Sequence, residues 1–134
     1  MRGGVVIETA LLAALLAVLA IVAGDAAVAW RIRTVLSMAA REGARTASLV
    51  PNLRQDDPVA MAVMDEVLIG SGVHGSGAGR SVRFAVPLVI GDPVTATATY
   101  EFRPSAPGLE VAFGGPIMLR AAADMPYRGS GVAR

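Results

Sequence analysis

Residues 9–24 read TALLAALLAVLAIVAG, and residues 25–50 continue as DAAVAWRIRTVLSMAAREGARTASLV. The first segment carries no charge, and as a helix its 16 residues rise about 24 Å, less than the roughly 30 Å hydrocarbon core of a bilayer. Extension to Trp30 gives about 33 Å, which spans the bilayer and puts Trp30 and Arg31 where interfacial aromatic and cationic side chains belong. Residues 9–30 are therefore predicted to cross a membrane.

The helical pattern continues past this segment. Small and aliphatic residues recur at steps of three and four, at Ile32, Leu36, Ala39, Ala40, Gly43, Ala47 and Val50. A polar stripe at four-residue spacing runs along the opposite side, at Arg33, Ser37, Arg41 and Arg45. Pro51 and Asn52 end the pattern. We predict one unbroken helix from about Val5 to Val50, a rod of about 65–70 Å whose second half lies outside the bilayer.

Two rows of small residues lie on this predicted helix. Ala39, Gly43 and Ala47 form one row at four-residue spacing, and Ala40 and Ala44 form the other. Such rows allow the backbones of two elements to approach closely. They predict helix packing, against a sheet or a neighbouring subunit, although an alanine-rich composition alone would also produce them.

The composition favours a membrane-attached protein over an enzyme. The 134 residues are 54% hydrophobic and 17% charged, against roughly 45–50% and about 25% in soluble domains. The chain holds no cysteine and one histidine, which excludes thiol nucleophiles, disulfides and multi-histidine metal sites. A net charge of +1 predicts no nucleic-acid interface. We expect no catalytic residue, metal, cofactor or small-molecule substrate.

Residues 51–134 are expected to form a small α+β domain. The pattern predicts a short helix, a glycine-rich linker and three strands, over residues 56–69, 70–81, 82–90, 94–103 and 119–128. Asp57 and Pro58 are typical of a helix start, and Pro87 marks an edge strand. The expected fold class is α+β, with a long N-terminal helix, transmembrane in its first half, packed on a three-stranded antiparallel meander.

Several motifs, in this order and spacing, resemble the TadE family of pseudopilins. They are Gly3-Gly4 followed by Glu8, the apolar helix, Gly24-Asp25, the block from Ala39 to Arg45 that reads AAREGAR, and the strands Val94–Arg103 and Leu119–Arg128. The resemblance covers nearly the whole chain. Two features depart from the family: the leader, residues 1–3, is shorter than is common, and Thr9 stands where an aromatic or aliphatic residue is more usual.

The resemblance implies a pilin-like fold and a specific role. TadE-like proteins are minor pilins of the tight-adherence type IV pilus, processed by a prepilin peptidase and moved by a pilus assembly platform. Gly3 would precede the cut, Gly4 would become the new N-terminus, and Glu8 would be the fifth mature residue. Glu8, with Asp25, would serve subunit assembly, Glu8 by pairing with the freed amine of a neighbouring pilin subunit. The protein would begin in the bacterial cytoplasmic membrane, N-terminus inside, and end in the surface pilus.

Two other interpretations of the N-terminal segment remain open. A secretory signal cleaved after Ala29 would release a small binding domain, since Ala27-Val28-Ala29 fits a cleavage site. An uncleaved single-pass anchor would carry a scaffold protein of an envelope or secretion complex. Glu8 favours the pilin interpretation, because a carboxylate inside the apolar segment costs about 2.5–3.5 kcal/mol and needs a function to retain it.

Overall fold

The computed structural model describes residues 3–73, 75, 77–105, 108–112 and 114–129. Its elements are, in chain order, α1 (Gly3–Leu49), α2 (Pro58–Gly70), β1 (Ala78–Phe84), β2 (Pro93–Phe102), α3 (Leu109–Ala112) and β3 (Ile117–Pro126). The three strands form one antiparallel sheet in the order β1-β2-β3. The predicted α+β architecture, a long helix packed on a three-stranded meander, is confirmed.

Helix α1 is a single rod of 47 residues with two different environments. The side chains of residues 4–21 are all exposed, whereas the second half buries a stripe against the rest of the chain. That stripe includes Ile32, Leu36, Ala39, Ala40, Ala44 and Ala47. A helix with an apolar surface on all sides is typically buried in protein or in a membrane, so the first half of α1 is suited to an apolar environment outside the described part of the chain.

One face of the sheet covers α1, and the other faces solvent. Val82 of β1, Ala96 of β2 and Ala123 of β3 lie side by side and point inward, where they join the core. Side chains alternate between the faces of a strand, so Thr95 and Thr99 point outward. The small inward residues let α1 lie close to β2 and β3.

Helix α2 packs beside α1 and reaches β1. Asp57 caps its start, because one of its carboxylate oxygens accepts a hydrogen bond from the Val59 amide at 3.0 Å. Met64 and Leu68 point into the core. Asp65 forms an ion pair with Arg80 of β1 at 2.5 Å, which ties the outer side of α2 to the edge of the sheet.

The position of the first strand corrects the sequence prediction. We expected a strand over residues 82–90 after a linker over 70–81, but β1 covers Ala78–Phe84 and so begins inside the expected linker. Gly79 lies opposite Thr99 in this pair of strands, and a Cβ atom there would lie 2.5 Å from Thr99 Oγ1, so β1 uses a glycine of the expected linker where it lies close to β2. Residues 85–92 form the turn to β2, and Val86, Val89 and Ile90 are exposed there.

The connection between β2 and β3 also differs from the prediction. We expected an irregular loop over residues 104–116, and the structure forms the single helical turn α3 within it. Strand β3 begins at Ile117, two residues before the predicted start, because Ile117 pairs with Phe102 at the end of β2. These shifts change boundaries but not the order of the elements.

Candidate functional site

The exposed half of α1 is the first candidate site. In the described part of the chain, α1 is the one helix long and apolar enough to cross a membrane. Its large aliphatic side chains are exposed throughout; Leu11 is 68% exposed and Leu16 63%. Gly4 lies at the first turn of this surface, with open space around its Cα.

Glu8 lies on this exposed surface, one turn after Gly4. No hydrogen bond or ion pair reaches its carboxylate from the described residues of the chain. The hydroxyl of the adjacent Thr9 donates a hydrogen bond to the Val5 carbonyl of the same helix at 2.7 Å. Among the described residues, the Glu8 side chain is therefore exposed and without a partner.

Asp25 has a partner within the chain. The Ser105 hydroxyl donates a hydrogen bond to Asp25 Oδ1 at 2.5 Å, across 80 positions of sequence. This contact holds the β2–β3 connection against α1 at the end of the apolar segment. Asp25 and Glu8 are separated by 17 residues, about 25 Å along the helix, so the structure does not bring the two predicted assembly residues together.

The small-residue rows lie inside the domain. Ala39, Ala40, Ala44 and Ala47 are fully buried within this chain. Gly43 makes the closest approach: a Cβ atom there would lie 2.5 Å from Met64 Cγ and Sδ on α2 and 3.3 Å from Ala96 Cβ on β2. We expected these rows to pack against a sheet or against a neighbouring subunit. In the structure they pack against other elements of this chain.

The polar stripe remains on the surface of α1. Arg33 and Arg41 line a shallow groove along the helix, together with Trp30, Thr34, Ser37 and Met38. Trp30 is 72% exposed. Arg45 approaches Glu42 only at 4.0 Å, which is a weak surface contact. The stripe is therefore a cationic surface that runs outward from the end of the apolar segment.

A charged pair lies beside the Asp25–Ser105 contact. Arg103 donates hydrogen bonds from Nε at 3.1 Å and Nη2 at 2.9 Å to Glu101 Oε1. The Glu101 carboxylate, and more weakly Glu110 of α3, raises the pKa of Arg103. In the sequence, Arg103 stands out only as the last residue of the strand Val94–Arg103, and Ser105 belongs to no recognisable motif.

The described residues contain no arrangement typical of a catalytic or metal centre. Within those ranges, no group of three or more acidic, histidine or cysteine side chains converges to hold an ion. Two of the acidic side chains have contacts within the fold: Asp65 pairs with Arg80, and Asp57 caps α2.

Comparison with known proteins does not assign a family. No family model matches the chain, no curated protein is significantly similar to it in sequence, and no solved structure is significantly similar to it in fold.

Proposed function

We propose that this chain is a structural minor pilin of the TadE-like kind, which takes part in assembly or initiation of a tight-adherence type IV pilus. The observation that carries the proposal is the two-part helix α1. Its first half presents an all-round apolar surface that includes Glu8, and its second half is built into a folded domain. A rigid helix that joins a membrane anchor to a domain without a hinge suits a subunit that packs against identical or related rods.

Glu8 supplies the assembly contact in this proposal. Cleavage after Gly3 frees the amine of Gly4, and this cation on one subunit pairs with the Glu8 carboxylate on its neighbour. A buried carboxylate without a partner is strongly destabilising, whereas a cation within a few ångströms removes most of that cost. The pair would thus fix the axial register between neighbouring subunits.

The partners follow from the same proposal. A prepilin peptidase removes residues 1–3, other pilin subunits pack against α1, and a pilus assembly platform lifts the subunit from the membrane. The chain is inserted in the bacterial cytoplasmic membrane as a single span with its N-terminus inside. It then becomes part of the pilus at the cell surface. It binds no nucleic acid, cofactor or small-molecule substrate and catalyses no reaction.

An uncleaved single-pass scaffold protein is the second candidate. The charge distribution favours it, because Arg2 stands alone before the apolar segment while Arg31, Arg33 and Arg41 follow it. The positive-inside rule would then place the domain in the cytoplasm. We favour the pilin because Arg33 and Arg41 belong to the surface of a helix that continues into the domain.

A secreted binding domain released after Ala29 is the third candidate. Ala29 packs against the core in the middle of α1, and Asp25 holds Ser105 just before it. Cleavage there would remove the Asp25 contact and cut the rod at the edge of its packed half. The packing of α1 therefore disfavours this candidate.

The mass of the mature chain distinguishes the three candidates. We expect intact-mass spectrometry of the protein, purified from a host with a prepilin peptidase, to show loss of Met1–Gly3. A host without the peptidase serves as the control and should yield the uncut chain. Loss of Met1 alone would support the scaffold, and loss of residues 1–29 would support the secreted domain; either result would contradict the pilin proposal.

A further inference from the structure

The connection between β2 and β3 lies at the end of the sheet nearest the apolar half of α1. Phe102 and Ile117, which flank it, pair with each other at that end. Ser105 then reaches Asp25, which directly follows the charge-free segment 9–24. We call the described residues of this connection, 103–105 and 108–112, the proximal tip.

Coverage of the side chains of α1 begins close to Asp25. Val22 is the first residue along α1, counted from Gly4, whose side chain is partly covered. Val18, one turn earlier, is 57% exposed. Coverage therefore begins within the charge-free segment, three residues before Asp25.

A bilayer-spanning length counted along α1 from Gly4 ends at Asp25. Residues 4–24 rise about 31 Å, which matches a hydrocarbon core of roughly 30 Å and puts its boundary at Asp25. If residues 9–30 spanned the bilayer instead, Ser105 and the charged Arg103 would lie closer to the hydrocarbon, which is costly for a charged side chain. A span of residues 4–24 leaves the proximal tip at the interface between lipid and water.

The proximal tip presents an apolar side chain at this level. Val111 of α3 is 84% exposed, the most exposed large apolar side chain of the described residues. The chain closes tightly after it, since the Gly115 amide donates to the Glu110 carbonyl at 2.8 Å and the Gly114 amide to the Val111 carbonyl at 3.2 Å. An exposed aliphatic residue on a tight turn, flanked by charged groups, is suited to shallow burial among lipid headgroups.

We propose that the proximal tip docks on the surface of the bilayer that α1 spans, with Val111 buried at the level of the headgroups. The occupant of this surface is lipid. The contact is continuous with the membrane span, because the Asp25–Ser105 hydrogen bond joins the tip to α1 at the boundary. Two attachment points, α1 and the tip, then fix the orientation of the domain on the membrane. The inference rests on the membrane anchorage in the proposed function, but not on the direction of insertion.

Fluorescent labelling of single cysteines tests the contact, and the absence of native cysteine makes each label unique. The full chain is reconstituted into phosphatidylcholine vesicles as V111C, L16C or V86C, each labelled with an environment-sensitive fluorophore. Leu16 lies in the middle of the span, and Val86, 77% exposed, lies at the opposite end of the sheet from the tip. Lipids with a nitroxide near the headgroup or deep in the acyl chain serve as quenchers.

We expect the label on V111C to lose most of its fluorescence to the shallow nitroxide, and the label on L16C to lose it to the deep one. The label on V86C should keep its emission with both. If V111C resembles V86C while L16C is quenched, the tip does not touch lipid and the inference is wrong, although the anchor stands. If L16C is not quenched, the anchorage itself is wrong. Shielding of V111C from both nitroxides and from water-soluble quenchers would indicate a protein partner and would also overturn the inference.

Discussion

Gly43 shows at the scale of one residue how the long helix is joined to the domain. It lies where α1, α2 and β2 meet, and the side chain of Met64 occupies the space in which a Cβ atom would stand. Met64 is fully buried, so it cannot move out of the way into solvent. The absence of a side chain at Gly43 therefore sets the distance between α1 and α2.

Gly43→Ala is expected to destabilise the fold. Alanine gains about 1 kcal/mol of helix propensity, but overpacking against Met64 costs about 1–3 kcal/mol. In a Met64→Ala background the space is open, so the same substitution should stabilise. Thermal unfolding of the full chain in detergent, followed by circular dichroism, measures both effects. Gly70→Ala, with open space around its Cα, is the control. A rise in melting temperature on Gly43→Ala as large in the wild-type background as in the Met64→Ala background would contradict the packing described here.

Glu8 is the single residue on which the proposed assembly of subunits depends. Glu8→Gln retains the shape of the side chain and removes its charge, so we expect normal membrane insertion and cleavage but a sharp fall in incorporation into pili. Neutralisation makes insertion easier, so any loss belongs to assembly and not to membrane entry. Co-purification with partner pilins measures incorporation.

Asp25→Asn is the matched control for Glu8→Gln. It removes a carboxylate from the same helix but keeps an oxygen that can accept the Ser105 hydrogen bond. We expect a smaller effect on incorporation. Wild-type co-purification of the Glu8→Gln subunit would show that Glu8 has no role in assembly.

At the scale of elements, two adjacent carboxylates perform different tasks. Asp57 caps α2, while Asp56 binds the edge of β1: its Oδ1 accepts from the Val82 amide at 2.8 Å, and its own amide donates to the Val82 carbonyl at 3.0 Å. Asp56 adopts a positive φ of 52°, which turns the chain between these contacts. One short segment thus starts a helix and protects an open strand edge.

Asp57→Ala should lower the free energy of unfolding by about 0.5–2 kcal/mol, because the Val59 amide loses its acceptor. Asp57→Asn retains an acceptor and should stay close to the wild type. Glu66→Ala, on the exposed side of α2, is the control for a lost charge on this helix. Denaturant unfolding of the full chain in detergent gives the differences. Equal losses for Asp57→Ala and Glu66→Ala would show that the cap contributes nothing.

At the scale of the whole molecule, the direction of α1 relates every part of the domain to the apolar half of that helix. The Asp25–Ser105 contact and α3 lie at the end of the domain nearest this half, whereas the Tyr127 hydroxyl donates to the Val50 carbonyl at 3.1 Å at the far end of the helix. The exposed Val86 and Ile90 lie at that far end as well, because their turn is held by the hydrogen bond from the Gly91 amide to the Tyr127 carbonyl. The domain therefore has one end next to the apolar half of α1 and one end far from it.

A reporter fused after Arg134 tests the orientation of the whole molecule. We expect alkaline phosphatase, which is active only outside the cytoplasm, to be active in this fusion. The charge distribution opposes this result under the positive-inside rule, so the outcome is informative. A reporter that is active only in the cytoplasm provides the control. Activity of that reporter alone would rule out the pilin proposal and leave the scaffold protein.

The sequence by itself determined α1, α2 and β2 of this protein. The charge-free run and the stripe at steps of three and four specify α1, and the alternation at Val94–Phe102 specifies β2. Asp57 and Pro58 specify the start of α2. These signals are local: each depends on residues within a few turns or along one strand, and the burial of one face enforces the period.

Only the tertiary structure decided how those elements meet. The start of β1 is evident only from the pairing that brings Gly79 next to Thr99. The hydrogen-bond partner of Asp25 is Ser105, 80 positions away. The small residues of α1 pack against Met64 and Ala96, which the sequence could not distinguish from packing against another subunit. Contacts between residues far apart in sequence leave no periodic signal in either segment, so their partners become known only when the chain is folded.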